Sequence, residues 1–291
     1  MKHDAKHEHR FKPNEWALVL GASSGFGGAA AVELAKAGMN VFGVHLDRAA
    51  TMPAVQHIIK DIKHAGREGV FFNINAADAI KRNETLDEIQ ERFAGDSHQT
   101  VRVLVHSLAF GTLKPFIGRK PEDTITQAQM EMTLDVMANS LVYWTQGLVT
   151  RNLMKKGGRI FAMTSSGGHT VLPAYGAVSA AKSALESHIR QLAMELGPYG
   201  ITANAVMAGV TDTPALRKIP NAVNMIEIAR AKNPFGRLTT PEDVAKAIVL
   251  FADESAYWIS GNVLGVDGGE DVVSFVGQKR EHSDHGHHGR H

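Results

Sequence analysis

The chain has 291 residues, 44% of them hydrophobic, and a formal net charge of +1 at pH 7. A chain of this length can bury a large core, and alternating α/β folds of this size often form one domain. The small net charge gives no indication of a nucleic-acid surface, and no run of about 20 apolar residues predicts a membrane span. The absence of cysteine excludes disulfides, thiolate zinc sites and a cysteine nucleophile. Because the start of the sequence has no signal-peptide core, we expect a cytoplasmic protein.

Short apolar runs separated by helical patterns predict alternating strands and helices. The first strand, 16–20, leads into a glycine-rich turn and then a helix at 29–37. Further strands are predicted at 40–44, 69–74, 101–106, 159–164, 202–206 and 263–266. This order predicts an α/β fold, a Rossmann-like doubly wound parallel sheet of about seven strands with helices on both faces.

The turn after the first strand reads Gly-Ala-Ser-Ser-Gly-Phe-Gly-Gly over residues 21–28. Glycines allow the main chain to approach a pyrophosphate, and the free amides of a helix N-terminus bind its charge. An ordinary glycine-rich turn explains one of these glycines but not three at this spacing. We therefore predict that a dinucleotide is bound by Gly21, Ser23, Ser24, Gly25, Phe26 and Gly27.

Polar residues and glycines also follow the other predicted strands. In a doubly wound sheet, ligands bind beyond the carboxyl ends of the strands. The residues at those ends are Gly21, His45, Asn73, His106, Ser107, Thr164, Ser165, Ser166 and Gly209. The sequence therefore predicts a site along this edge of the sheet.

Tyr175 and Lys182 are seven positions apart in a strongly helical stretch. Seven residues make about two turns, so both side chains project from the same face. We expect the ammonium group to favour phenolate and to lower the pKa of Tyr175 towards the range useful for proton transfer. Taken alone, the pair fits a partly buried tyrosine beside an unrelated, solvated lysine better than it fits a catalytic pair. The dinucleotide motif favours the catalytic interpretation.

Together these residues resemble the short-chain dehydrogenase/reductase family over about residues 16–272. The matching motifs are Gly-x-x-x-Gly-x-Gly at 21–27, the serine pair at 165–166, Tyr175 with Lys182, Asn-Ala-Val at 204–206 and Val-Asp-Gly-Gly at 266–269. Most family members have three residues between Tyr and Lys. Six, as here, is the pattern of enoyl-acyl-carrier-protein reductases of fatty acid synthesis, which the run at 105–110 also resembles. The group most resembled is the branch that uses NADPH.

The resemblance implies roles for individual residues. Tyr175 would bond the enolate oxygen, Lys182 would hold the nicotinamide ribose, and Ser165, with Ser166 as the alternative, would be a second oxyanion donor. Further cofactor contacts are implied at Asn73, Ile74, His106, Ser107, Leu108, Ala109, Gly209 and Thr211. Substrate contacts are predicted at Phe110, Leu216 and Ile219. Met137 occupies the place of a helix Asn that often relays protons in the family, and Asn139 is a poor substitute on a different helix face.

The cofactor preference depends on the end of the second strand, where NAD-binding folds place an acidic ribose ligand. The family pattern puts His45 there, followed by Asp47 and Arg48. His45 and Arg48 could meet a 2′-phosphate, which favours NADPH. NADH stays possible, because a different loop path would bring the Asp47 carboxylate to the ribose.

The rest of the organisation follows from composition and resemblance. We expect a single reductase domain at 13–277, with a lid at 210–235 whose locally basic surface would attract an acyl carrier protein. Residues 1–12 and the His-rich 278–291 are predicted to be disordered tails, and no metal site is predicted. The family pattern implies a homotetramer.

Three functions fit the sequence. The first is an enoyl-thioester reductase, favoured by the six-residue spacing. The second is a 3-ketoacyl or general carbonyl reductase, favoured by the serine pair and the C-terminal part of the chain. The third, a cofactor-binding sensor without turnover, is disfavoured because Tyr175 and Lys182 accompany the glycine turn.

Overall fold

The computed structural model describes residues 10–219 and 221–274. Its strands are β1 (Glu15–Leu20), β2 (Asn40–His45), β3 (Gly69–Asn73), β4 (Thr100–His106), β5 (Arg159–Ser165), β6 (Thr202–Ala208) and β7 (Val263–Val266). Its helices are α1 (Gly25–Lys36), α2 (Met52–His64), α3 (Ala79–Phe93), α4 (Gln127–Leu134), α5 (Ser140–Thr150), α6 (Gly176–Leu196), α7 (Ala222–Lys232) and α8 (Pro241–Ala252). All seven predicted strands are confirmed, with ends that differ by one or two residues.

The seven strands form one sheet in the order β3-β2-β1-β4-β5-β6-β7, and every pair is parallel. The chain leaves β1 towards β2 on one side and returns to β4 on the other. The strand order therefore reverses between β1 and β4, where doubly wound folds bind their ligands.

Both faces of the sheet are covered by helices, because alternate residues of each strand are apolar on opposite sides. Ala17 and Val19 of β1 pack in a core with α1, α2 and α8. Leu18 and Leu20 pack in a second core with α3, α5 and α6. In this second core the ring of Trp16 stacks on Phe42, with centroids 4.1 Å apart.

The N-terminal boundary of the domain lies earlier than predicted. Phe11 is buried in the first of these cores, and its main-chain N–H donates to the carbonyl oxygen of Ala37. The prediction that residues up to 12 stay outside the core is therefore wrong for Phe11. The composition of the segment did not indicate that this apolar ring is buried. Residues 1–9 and the predicted tail at 278–291 lie outside the described residues.

A single π-helical turn, Asp135–Asn139, joins α4 to α5. Such a turn inserts an extra residue into the helix and often occurs at functional sites. It moves Asn139 away from the face of Met137, and Oδ1 of Asn139 accepts a hydrogen bond from Nε2 of His188 at 3.1 Å. The Asn139 side chain is thus bonded to His188 and does not replace the helix Asn of the family, as expected.

Two classes of feature are absent from the described part of the chain. No helix within it is long and apolar enough to cross a membrane. No group of three or more His, Asp or Glu side chains among these residues is placed to hold a metal ion.

Candidate active site

A cavity of about 200 Å³ opens at the carboxyl ends of β4, β5 and β6. It is lined by residues of the glycine turn, the segment after β4, the π turn, the ends of β5 and β6, the start of α6 and the lid. Those predicted from the sequence are Phe26, Ser107, Leu108, Ala109, Ser165, Ser166, Tyr175, Lys182, Gly209, Thr211, Leu216 and Ile219. The structure thus brings the predicted catalytic residues together with eight of the predicted cofactor and substrate contacts.

The glycine turn can receive a pyrophosphate because nothing but hydrogen fits at its key positions. Gly21 has a φ of +87°, and a Cβ there would lie 2.4 Å from the carbonyl oxygen of Ser107. A Cβ on Gly27 would lie 2.1 Å from the carbonyl oxygen of Gly21. The main chain therefore forms a tight cradle at the start of α1, whose first amides are free to bind an anion. These residues fit a dinucleotide.

Tyr175 is the residue immediately before α6 and faces Ser165 at the end of β5. Both lie against Gly167, where a Cβ would be 2.5 Å from Cε1 of Tyr175 and 3.2 Å from Oγ of Ser165. Apart from Tyr175, the buried Ser165 hydroxyl has no hydrogen-bond partner among the described residues. Ser166 also lines the cavity. Because the Ser165 hydroxyl lies beside the Tyr175 ring, Ser165 is the serine placed to donate to a ligand next to that phenol.

Lys182 is almost fully buried, and its Nζ donates a 2.6 Å hydrogen bond to the carbonyl oxygen of Met163. Burial lowers the pKa of Lys182 to about 8, while the Glu186 carboxylate acts in the opposite direction. Glu186 is itself held by the Thr164 hydroxyl, which donates to its Oε1 at 2.6 Å. The ammonium group thus has a fixed position and stays mostly protonated at neutral pH.

The pKa of Tyr175 differs from the expectation. Burial raises it above its ordinary value, and the smaller effect of the Ser165 hydroxyl lowers it. The predicted lowering by Lys182 is wrong for this structure, because the ammonium group is directed to Met163 and the phenol is largely desolvated. Tyr175 is therefore a neutral hydrogen-bond donor at pH 7.

His106 is completely buried and does not line the cavity. The Ser140 hydroxyl donates to the carbonyl oxygen of Val136, so its oxygen accepts from Nε2 of His106 at 2.8 Å. Burial, with a smaller effect from Lys182, lowers the pKa of His106 to about 3. The ring is therefore neutral, and through the Ser140 hydroxyl it connects β4 to Val136 of the π turn. Its predicted side-chain contact with the cofactor is not supported.

The end of β2 is arranged around Asp47. His45 is buried, and its Nδ1 lies 3.1 Å from Oδ2 of Asp47. Asn73 accepts from the Asp47 main-chain N–H at 3.0 Å and donates to its carbonyl oxygen at 2.9 Å. Burial raises the pKa of Asp47, but hydrogen bonds from Thr51, Ser23 and His45 outweigh it and hold the pKa below its ordinary value. The carboxylate thus lies beside Ser23 of the glycine turn.

This arrangement corrects the predicted role of His45. A buried ring that is hydrogen-bonded to an aspartate cannot also bind a 2′-phosphate. Arg48 is exposed, so its side chain is still free to reach a 2′-phosphate. Ile74 is at the predicted strand end, where its N–H donates to the His45 carbonyl oxygen.

Residues between 210 and 225 of the predicted lid line the cavity. Leu216 is buried, and the helix α7 occupies Ala222–Lys232 of the segment. Thr211 donates to the carbonyl oxygen of Gly209 at 3.0 Å, which stabilises the turn below the lid. Phe110 is a different case: its ring is 62% exposed, and its neighbours Ala109 and Gly111 line the cavity instead. The predicted substrate contact of Phe110 is therefore not supported.

Several cavity residues were not predicted as site residues. They are Gly111, Leu113, Met137, Met163, Leu172, Val178, Val210, Thr213 and Ala215, among others. Met137 belongs to the core and also lines the cavity. The signal for it was its position in place of a polar family residue. The apolar wall that results suits an acyl group better than a polar substrate.

Comparisons with known proteins agree with this geometry. The family model described as enoyl-(acyl carrier protein) reductase matches residues 21–270. The chain is 29% identical over 206 residues to the enoyl-acyl-carrier-protein reductase (NADH) FabI of Aquifex aeolicus, covering 69% of this chain and 75% of that protein. The crystal structure of the Aquifex aeolicus enzyme has a TM-score of 0.77 and 24% identity, and the match covers 90% of this chain and 98% of that one.

Other relatives of similar identity have different names. The 3-oxoacyl-acyl-carrier-protein reductase FabG of Pseudomonas aeruginosa is 29% identical, over 87% of this chain and 96% of that protein. The NADPH-dependent aldehyde reductase-like protein of Arabidopsis thaliana is 29% identical, over 87% of this chain and 93% of that protein. These names include an enoyl, a 3-oxoacyl and an aldehyde reductase.

The chain belongs to the short-chain dehydrogenase/reductase family, in the part that the enoyl-(acyl carrier protein) reductase model describes. It is a nicotinamide-dinucleotide-binding oxidoreductase. The cradle at Gly21 and Gly27, the buried Lys182 and the donors Tyr175 and Ser165 are the parts of the site that this class of reaction requires.

Proposed function

We propose that the protein reduces the trans-2 double bond of an enoyl thioester. The observation that carries this proposal is the position of Tyr175, seven residues before Lys182, opposite Ser165 in a cavity with apolar walls. Relative to a spacing of four, Tyr175 is set back by three residues, or about 4.5 Å along the helix axis. This offset matches a substrate whose reacting carbon and charged oxygen are several bonds apart.

The chemistry divides between cofactor and protein. The reduced nicotinamide supplies a hydride when it is bound. In an enoyl thioester the new C–H bond forms at the β-carbon, the π electrons move towards the thioester, and negative charge collects on its oxygen. Tyr175 and Ser165 donate hydrogen bonds to that oxygen, and a proton added at the α-carbon completes the saturated thioester. Stabilising such an oxyanion is commonly a large part of catalysis.

We also propose that NADH is the better cofactor, in contrast to the preference for NADPH inferred from sequence. The Asp47 carboxylate lies beside Ser23, near the place expected for the adenosine ribose, where it would bond ribose hydroxyls and repel a 2′-phosphate. His45 supports Asp47 instead of opposing it. The Aquifex aeolicus relative is named as an NADH enzyme and the Arabidopsis relative as NADPH-dependent. Sequence similarity to relatives therefore does not decide between NADH and NADPH.

An acyl carrier protein is the proposed carrier of the substrate, and a homotetramer in the cytoplasm is the proposed form. Five cations on or beside the lid would attract the carrier: Arg217, Lys218, Arg230, Lys232 and Arg237. Two of them are neutralised within the chain, since Arg217 pairs with Asp212 and Arg237 with Asp243. The remaining three, Lys218, Arg230 and Lys232, form no ion pair with a described residue. Lys218 also lines the cavity.

Self-association is supported by the edge strand β7 and by the exposed apolar side chains Leu250 and Val263.

The deciding experiment follows the loss of reduced-cofactor absorbance with a trans-2-enoyl thioester and, separately, with the 3-ketoacyl thioester of the same chain length. Each is measured with NADH and with NADPH. A higher kcat/KM for the enoyl substrate supports the proposal. A higher value for the keto substrate makes the protein a carbonyl reductase, the alternative that the free Ser165 hydroxyl and the FabG relative favour. Cofactor binding with no turnover of either would support the sensor hypothesis.

A further inference from the structure

A second cleft, of about 1050 Å³, lies at the opposite edge of the sheet from Tyr175. It is formed at the amino ends of four strands, where Glu15, Arg102, Arg159 and Thr202 line it. Strands of six or seven residues separate the two edges by about 20 Å. The cleft is therefore independent of the proposed active site and of the proposed reaction.

The cleft has an excess of positive charge. Its lining includes the cations Arg10, Lys12, Arg102, Lys156 and Arg159 and the acids Glu15, Asp253 and Glu254, which leaves a net charge of 5 − 3 = +2. Arg10 is already paired with Asp253 at 3.4 Å. Glu15 approaches the Nε of Arg102 only to 3.8 Å, without a hydrogen bond.

Arg102 and Arg159 are unusual because both guanidinium groups line one cleft, although Arg159 is buried and the Arg102 side chain is only 12% exposed. They lie near the starts of β4 and β5, where Val103 is the register partner of Arg159. Arg159 is only 2% exposed, and its Nη1 donates to the carbonyl oxygens of Gly157 and Gly158. The Nε of each arginine is buried and has no hydrogen-bond partner among the described residues. Burial, and then the charge of Arg102, lower the pKa of Arg159 to about 10, so this group is cationic at neutral pH.

Two neighbouring, incompletely paired guanidinium groups destabilise a fold unless an anion compensates them. We propose that this cleft binds a small phosphate-bearing anion between Arg102 and Arg159. Guanidinium groups bind phosphate oxygens in pairs, and Lys12 and Lys156 supply further charge. Tyr257 and Trp258 also line the cleft and are largely exposed, so a nucleotide base has rings to stack on. The shared chemistry is a diphosphate group, either free or in a nucleotide.

The first test titrates the full-length protein with inorganic pyrophosphate and with CDP, and measures the melting temperature and the iodide quenching of tryptophan fluorescence. Trp258 is 86% exposed, whereas Trp16 and Trp144 are buried, so quenching reports on the cleft. At saturation we expect the melting temperature to rise by about 5 °C and Trp258 to be protected from iodide. A response to CDP at lower concentration than to pyrophosphate identifies the nucleotide as the ligand, and equal responses identify the free diphosphate.

Variants locate the binding, because pyrophosphate can also enter the glycine turn. Arg102→Met should weaken the anion response at least tenfold, and the exposed cleft variant Lys156→Met should weaken it by a smaller factor. Arg102→Glu places a carboxylate next to Arg159, so its melting temperature without added anion should equal or exceed that of the wild type, and pyrophosphate should raise it less than it raises that of the wild type. Lys60→Met removes an exposed cation from α2, outside the cleft, and serves as the matched control.

The proposal is overturned if neither anion changes the wild-type melting temperature or the quenching of Trp258. It is equally overturned if Arg102→Met and Lys156→Met bind pyrophosphate as tightly as Lys60→Met, since binding would then belong to the glycine turn. If Arg102→Met does not fold, Lys156→Met and Arg102→Glu decide the same question. Reductase turnover should be unchanged in all folded variants, so failure of the proposed reaction would not affect this result.

Discussion

The side chain of Lys182 ends on the main chain of Met163, where Nζ donates a 2.6 Å hydrogen bond to the carbonyl oxygen. The next residue of β5, Thr164, donates to Glu186, one turn beyond Lys182 on α6. Strand and helix are therefore joined at two consecutive residues of the strand. The two bonds fix the ammonium group and place beside it the carboxylate that keeps it charged.

Glu186→Gln should move the alkaline limit of activity to lower pH. The pKa of Lys182 is lowered to about 8 by burial. The amine is therefore charged below that pH and loses its proton as the pH rises through 8. Glu186 raises this pKa, and its neutralisation lowers it further. We expect the alkaline limb of the kcat/KM profile to shift down by about half to one pH unit. The measurement is a pH profile between 6 and 10.

The control for this variant is Glu195→Gln, which removes an exposed carboxylate from the same helix. Its profile should match that of the wild type. If Glu186→Gln lowered the rate equally at every pH, the carboxylate would serve only to hold Thr164.

Gly167→Ala should damage catalysis through a steric contact. The new Cβ would lie 2.5 Å from the Tyr175 ring and 3.2 Å from the Ser165 hydroxyl, so one of the two donors must move. We expect kcat to fall by about a hundredfold, as displacement of a catalytic group by about 1 Å can cause, while cofactor affinity stays within a factor of about three. The measurements are steady-state kinetics and cofactor titration.

Gly197→Ala is the matched control, because a Cβ at Gly197 meets nothing within 4 Å and its φ is −51°. It should leave kcat unchanged. Equal activity of the two alanine variants would mean that Tyr175 and Ser165 are not positioned by Gly167.

The sequence predicted the parts of this protein that depend on local pattern. Apolar runs such as 101–106 mark buried parallel strands on both faces, and the glycine spacing at 21–27 marks a turn that only glycine permits. The distance between Tyr175 and Lys182 along the helix follows from the pitch alone.

The sequence could not predict features that depend on contacts between distant segments. The burial of His45 against Asp47 depends on Asn73, 26 residues away, which sets the path of the loop. The raised pKa of Tyr175 depends on desolvation by neighbouring segments, whereas the sequence shows only the nearby lysine. The π turn that separates Asn139 from Met137 has no turn-specific residues to reveal it.

Tyr175→Phe should remove the main donor to the substrate oxyanion. We expect kcat to fall by about a hundredfold to ten-thousandfold with little change in cofactor affinity. Ser165→Ala should cost about a hundredfold in kcat, the effect of losing one oxyanion donor. The measurements are kcat and KM for thioester and cofactor. Near-normal turnover of Tyr175→Phe would contradict the catalytic assignment.

A comparison with Ser166→Ala completes this experiment. Ser166 also lines the cavity, but it is the Ser165 hydroxyl that acts on the Tyr175 phenol, so the Ser166 hydroxyl is expected to matter less. A larger loss of kcat in Ser166→Ala than in Ser165→Ala would mean that Ser166, and not Ser165, is the oxyanion donor.

Asp47→Ser should relax the cofactor preference. Removal of the carboxylate abolishes its repulsion of a 2′-phosphate and its bonds to ribose hydroxyls, so kcat/KM should rise with NADPH and fall with NADH. A combined change of at least tenfold, about 1.4 kcal/mol, is expected in the ratio. Arg48→Ala, at the exposed neighbouring position, should lower only the NADPH rate. A wild-type enzyme that already prefers NADPH would show that Arg48 outweighs Asp47.

Glu270→Gln should stabilise the protein at neutral pH. Glu270 is buried below the lid, where Oε1 accepts from the Val210 N–H at 3.1 Å and the Asn233 side chain lies beside the carboxylate. Burial raises the pKa of Glu270 above its ordinary value of 4.5. The folded protein therefore binds a proton more tightly than the unfolded chain does, and stability is lost as pH rises from 4.5 through the raised pKa.

A glutamine keeps the acceptor for Val210 but cannot ionise, so it avoids the cost of burying a carboxylate. We expect the melting temperature at pH 7 to rise by about 2 to 4 °C and its decline between pH 5 and 7 to become shallower than in the wild type. Glu242→Gln, at the exposed start of α8, should leave both unchanged. A lower melting temperature in Glu270→Gln at pH 7 would instead show that the charged carboxylate stabilises the base of the lid, through Val210 and the nearby Asn233.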